Sequence, residues 1–187
     1  MTVLVIGAEL LPDEAMMAHW ERSVRASGKE WTILHPNWFF QNFGTAFVPA
    51  LLGRGLELDA ADAPVSFVDT RDIAEVAAAV LAEGGFAGRT LTITGPQSLS
   101  HADAVAILGE AAGRTLAYRA IPPERAAAGA RAAGVRERTI LAQRGLFQVI
   151  RGGGNAPVTD VVERLTGRAP RTLAQYAAEN AEVWRAE

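Results

Sequence analysis

Apolar positions along this chain fall in short β-branched runs separated by longer stretches of helical period. Val3-Leu4-Val5-Ile6 is a four-residue apolar run closed by Gly7, the pattern of a strand covered on both faces. Asp13 is placed to cap a helix predicted over 14–27, which Gly28 stops. A second strand is predicted over 31–35, and Pro36 turns the chain into a loop there. Phe39, Phe43, Phe47 and Leu51 recur at i, i+4 spacing and predict a helix over 39–52 that Pro49 kinks or ends.

The alternation continues to the C-terminus. A strand is predicted over 65–68, followed by an Ala-rich helix to Ala82 whose start carries capping-box spacing in Asp72 and Glu75. The Thr/Leu/Ile alternation over 89–94 predicts a half-exposed strand ended by Gly95-Pro96. Ser100 with Asp103 opens a helix to about residue 112, and 116–121 reads as another strand. An Ala/Arg-rich helical stretch over 123–150 is predicted to break near Gly129, Gly134 and Gly145. Gly152-Gly153-Gly154 then forms a joint before helical segments at 158–165 and 172–184. Strands alternating with helices of this length predict α/β architecture with a largely parallel sheet.

Composition narrows the function classes. The chain has 187 residues, a length suited to one domain, with 49% hydrophobic and 21% charged residues. A net charge of −3 gives no electrostatic reason to expect nucleic acid or an anionic membrane as partner. There is no cysteine, so disulfide, thiolate and Cys-based zinc chemistry are excluded. His19, His35 and His101 lack metal-ligand spacing, so no metal is expected. No apolar run reaches the ~18–20 residues of a membrane span, and a soluble cytoplasmic protein is expected.

The run from Trp31 through Thr32-Ile33-Leu34-His35-Pro36-Asn37-Trp38-Phe39-Phe40-Gln41-Asn42 to Phe43 resembles the strand-and-loop signature of the NmrA-like atypical short-chain dehydrogenases. The segments at 65–81, 92–100 and 161–176 resemble later segments of that family, in the family's order. The resemblance implies a Rossmann-like parallel sheet and a substrate pocket lined by the 31–43 segment. Two departures accompany it. The family's glycine-rich pyrophosphate turn is missing, because Gly7-Ala8 is followed by Glu9-Leu10-Leu11-Pro12-Asp13, whose carboxylates repel phosphate. The Tyr-x-x-x-Lys pair of typical short-chain dehydrogenases is also absent: neither Tyr118 nor Tyr176 has a lysine four residues on, and Lys29 is the one lysine. The expected architecture is therefore the C-terminal half of a Rossmann-like α/β sheet. It forms a single domain over 1–187, with a core at 1–115 and a mostly helical substrate cap at 116–187. A first strand deprived of its neighbour exposes an edge, which predicts a homodimer.

Candidate chemistry centres on the same segment. His35 stands where the family carries arginine, at the carboxyl end of a strand, and an imidazole serves as acid or base near neutrality. Asp69 is a second candidate base, and Glu21 a weaker one. Asn37, Gln41 and Asn42 offer amides, and Trp38, Phe39 and Phe43 offer rings, for a planar small molecule. His19 and His101 read as surface or capping residues. These features predict an enzyme without a cofactor, catalysing isomerisation, cyclisation, dehydration or lyase chemistry on an apolar or aromatic metabolite. A ligand-binding regulatory module is the alternative. A third reading keeps NAD(P)H-dependent oxidoreduction, with an incomplete or partner-completed cofactor site.

Overall fold

Trp31–Pro36 (β2) is the centre of a three-stranded parallel sheet, between Val3–Ile6 (β1) and Arg89–Ile93 (β4). The computed structural model describes residues 3–6 and 16–185, with side chains from residue 18 onward. Pairing is in register from Val3 opposite Trp31 to Ile6 opposite Leu34, and from Thr32 opposite Arg89 to Pro36 opposite Ile93. Four successive buried residues in β2, Thr32 to His35, show why its sequence does not alternate: both faces are covered.

The two faces differ. Leu34, Leu91 and Ile93 pack with Ile73, Val76 and Val80 of Thr70–Glu83 (α4) and with Val161 and Val162 of Val161–Thr166 (α8). On the other face lies Met16–Arg25 (α1), joined to β2 by a hydrogen bond between Glu21 and His35. A second apolar cluster gathers Phe40, Phe43 and Phe67 with Ala104, Val105 and Leu108 of His101–Ala112 (α5). Leu173 and Tyr176 of Leu173–Glu179 (α9) join it, as does Trp184 of a closing 3₁₀ turn, Ala181–Trp184.

Local chemistry explains several departures from the pattern. The helix predicted over 39–52 is divided into Gln41–Gly44 (α2) and Val48–Leu52 (α3), because Pro49 occupies the first turn of the second piece, where its missing N–H costs nothing. The strand predicted over 65–68 is reduced to two bridges, Phe39 with Val68 and Val65 with Leu99. Leu56–Leu58 (β3) pairs in parallel with Tyr118–Ala120 (β5) as a separate small sheet. Pro123–Ala132 (α6) and Glu137–Arg151 (α7) run through Gly129 and Gly145, and the break falls between them around Gly134 at φ 77°. The N-cap of α4 is Asp69 rather than Asp72; its carboxylate accepts from the Arg71 N–H. Ser100 and Asp103 form the capping box expected of them.

The glycine-poor turn after β1 lies outside the described residues. No described helix is long and apolar enough to cross a membrane.

Candidate functional site

Beyond β2 the backbone is threaded into a loop by bonds to two other segments. Asn37 N–H donates to the Ile93 carbonyl at 2.9 Å, Phe40 N–H to Val68 at 2.9 Å, and Val68 N–H to Trp38 at 2.8 Å. The Asn37 side chain then fixes a segment more than a hundred residues away. Its amide nitrogen donates to Ser66 Oγ at 2.7 Å and to the Asn155 carbonyl at 2.8 Å, while its oxygen accepts from Trp38 N–H and from Asn155 Nδ2. Thr159 completes the attachment, with its N–H on Thr94 Oγ1 at 2.9 Å and its hydroxyl on the Thr92 carbonyl at 2.7 Å.

These ties enclose a cavity of about 590 Å³ at the carboxyl ends of β2 and β4, the edge at which open parallel sheets take ligands. His35 and Thr92 form its floor, as their register opposite one another in the sheet requires. Trp38, Phe39 and Asn42 form one wall; Leu146 and Val149 of α7 and the 154–159 segment form the other. Trp38 is held by Phe147 at 5.5 Å between ring centroids and by the edge of His101 at 6.4 Å.

The structure thus brings together His35, Asn37, Trp38, Phe39 and Asn42 from the expected set, and places three others elsewhere. Phe43 is fully buried in the core against Phe47 and Phe67. The Gln41 side chain donates to Asp69 at 3.0 Å and accepts from Thr70 N–H, so it secures the start of α4. Asp69 is fully buried and does not line the cavity. Burial works to raise its pKa, but hydrogen bonds from the Arg71 side chain, the Arg71 backbone and Gln41 prevail and hold it below the ordinary value. A carboxylate so saturated is a helix cap and an anchor for Arg71, not a free base.

His101, expected as a surface or capping residue, is completely buried beside the N-cap Ser100, and neither ring nitrogen finds a partner among the described residues. The opposite wall of the cavity lies in the 116–187 region, where a substrate cap was expected, but none of its residues (Leu146, Val149, Asn155, Thr159) was singled out. The one sequence signal for it is the glycine run at 152–154, which lets α7 end and the chain turn back, Gly153 at φ 77°.

Comparison with known proteins agrees with this geometry. No protein-family model matches the chain. It is 33% identical over 98% of its length to an NAD(P)H azoreductase of Xenophilus azovorans, covering 66% of that protein. An NADPH-dependent quinone oxidoreductase of Escherichia coli, solved with NADPH, superposes with a TM-score of 0.82 at 20% identity, over 95% of this chain and 65% of the other. NmrA, a negative transcriptional regulator solved with NAD, superposes at 0.65 and 17% identity, over 95% of this chain and 63% of the other. The chain thus spans from 55% to 66% of the length of the curated relatives it matches.

These likenesses correct two expectations. The non-redox, isomerase- or cyclase-like reading is overturned by relatives named as reductases, and the expectation of no cofactor by relatives named for, or solved with, nicotinamide dinucleotides. The physical reason is that Glu9 and Asp13 bear on a single predicted turn, whereas a dinucleotide site is spread over several loops along the strand carboxyl ends. By its parallel sheet, its flanking helices and its structural neighbours, the chain has the Rossmann-like α/β fold of the NAD(P)-binding reductases and of NmrA.

Proposed function

We propose that this chain supplies the substrate-side part of an NAD(P)H-dependent reductase of the NmrA-like family, acting on planar conjugated acceptors of the quinone or azo type. The observation that carries the reading is the cavity at the carboxyl ends of β2 and β4, walled by Trp38 and Phe39. Its volume lies within the ~300–1,000 Å³ of small-molecule sites. Its identity to an azoreductase along almost the whole chain supports the same reading.

The lining side chains are a partial fit for the cofactor. They bring amides from Asn42 and Asn155 and the hydroxyl of Thr92, with no lysine or arginine, while the Asn37 amide and the Thr159 hydroxyl proton are taken up within the protein. That donor set suits an uncharged ring with a carboxamide. Asn155 Oδ1, buried without a donor among the described residues, is an acceptor of the kind a carboxamide N–H satisfies. The set does not suit a pyrophosphate, so in this reading the phosphate contacts come from residues outside those described, or from a partner. A reduced nicotinamide supplies hydride when bound. The chain's own residues hold the planar acceptor against Trp38 and exclude water with Phe39, Leu146 and Val149.

Titration of NADPH, followed by its fluorescence, is expected to show saturable binding, with menadione or an azo dye accelerating cofactor oxidation. Absence of both binding and turnover overturns the reading. Saturable binding without turnover of either acceptor replaces it with the ligand-binding module.

We also propose a homodimer. Among the described residues β1 has one sheet neighbour, β2, and none of them pairs with its other edge, which a second copy can cover. Light scattering on the eluting protein is expected to give twice the 19.8 kDa chain mass; a stable monomer counts against this arrangement.

A further inference from the structure

Among the described residues one ionisable side chain lines the cavity, and it is His35; every other described lining residue is apolar, an amide, a hydroxyl or glycine. Two-electron reduction of a conjugated acceptor needs a proton as well as a hydride, and among the described residues the cavity offers a single imidazole able to carry one. His35 Nε2 lies 2.8 Å from Glu21 Oε1. Nδ1 has no hydrogen-bond partner among the described residues.

Glu21 is an unusual neighbour. It is only 9% exposed, on the face of α1 that meets the sheet, where an apolar residue is the ordinary occupant. Its second oxygen is 3.4 Å from Arg25, which also reaches Thr90 Oγ1 and lies over the Trp31 ring at 4.5 Å. Both ends of the carboxylate are therefore fixed. The elements packed against His35 bring one carboxylate, Glu21, and behind it one cation, Arg25; β4 and the 154–159 segment bring neutral groups from the described residues. A carboxylate accepting from Nε2–H locks the ring, and in the imidazolium form Nδ1–H is the second donor, left to serve a ligand.

We propose that His35 is the proton donor of this site and that Glu21 is its positioning residue. The inference rests on the reductase reading above. A reduced nicotinamide, when bound, would supply the hydride that bonds to one end of the acceptor's conjugated system as a π bond breaks. The negative charge gathers on the acceptor's heteroatom, which takes the proton from His35. The acceptor is reduced by two electrons, the nicotinamide is oxidised, and His35 regains its proton from water.

The experiment compares His35→Gln, Glu21→Ala and Glu21→Gln with the parent protein in two assays. With NADPH and menadione, His35→Gln is expected to lower kcat about 100-fold, leave the KM for NADPH unchanged and erase one limb of the pH–rate profile. Glu21→Ala is expected to lower kcat about tenfold, and Glu21→Gln, which keeps an acceptor oxygen for Nε2–H, to restore most of that loss. Without any cofactor, umbelliferone, a planar phenol, is expected to bind about tenfold more weakly to folded His35→Gln. A folded His35→Gln protein with the parent's kcat and pH profile overturns the proposal. If the parent protein oxidises no NADPH, the reductase reading fails on its own, and the umbelliferone arm still decides the pair: unchanged affinity in His35→Gln and Glu21→Ala overturns it as the cavity's polar anchor.

Discussion

Replacing Asp72 with alanine is expected to destabilise the protein by about 3 kcal/mol, a fall in Tm of roughly 6–12 °C for a chain of this size. Asp72 is fully buried on the first turn of α4. Its carboxylate accepts from the Arg171 backbone N–H at 2.8 Å, from Arg168 at 3.2 Å and from the Arg171 guanidinium, and Glu75 shares both arginines. Removing it leaves the Arg171 backbone N–H without its acceptor and two cations with Glu75 alone, beside an apolar interface. Arg168 and Arg171 keep 39% and 24% side-chain exposure, so water offsets part of the loss and the lower end of the usual ~3–5 kcal/mol for breaking a buried pair applies. Asp72→Asn keeps the volume and one acceptor oxygen and is expected to lose about half as much. Urea titration with both variants checks the ordering. An alanine variant within about 0.5 kcal/mol of the parent, the ordinary range for surface changes, would show that the network adds nothing. The effect reaches function because these arginines hold the α8–α9 connection against α4, and the segment just before α8 carries Asn155 and Thr159 of the cavity wall.

Asp72 also shows what the sequence can and cannot disclose. Its spacing to Glu75 is that of a capping box, a local pattern, and the helix it marks is real. Its partners lie nearly a hundred residues away, and no local spacing encodes them. The same division runs through the fold. Val3–Ile6, Trp31–Pro36 and the Ser100–Asp103 box are legible because β-branched runs and caps act within a few residues. Leu56–Leu58 is not, because three residues after Gly55 become a strand only when Tyr118–Ala120 arrives. In the site, His35, Asn37, Trp38, Phe39 and Asn42 are adjacent in sequence and were identifiable together. Phe43 belongs to the same aromatic run, yet its side chain enters the core rather than the cavity. Asn155 and Thr159 reach the site through bonds to Asn37 and Thr92, which no periodicity reveals.

His101 is expected to make folding stability depend steeply on pH. Its ring lies among Phe67 at 5.1 Å, Tyr118 at 5.8 Å, Phe43 at 6.2 Å and Trp38 at 6.4 Å between centroids, and burial pushes its pKa from 6.5 down to about 4. Between these values the unfolded chain binds a proton that the folded protein refuses, so stability rises with pH across that interval. The contribution is fully present above 6.5 and is lost progressively as pH falls toward 4, by about 3 kcal/mol in all. Carboxylates such as Asp69, held below their ordinary pKa, add their own loss at lower pH. The measurement is therefore a difference: urea titrations of the parent protein and of His101→Leu at several pH values from neutral to about 4. The stability of His101→Leu relative to the parent is expected to improve by about 3 kcal/mol over that range, because leucine has nothing to protonate. A constant difference would mean that His101 is not held neutral in the fold. Since His101 buttresses Trp38, the same acidification is expected to weaken umbelliferone binding in the parent protein before global unfolding, and to spare it in His101→Leu.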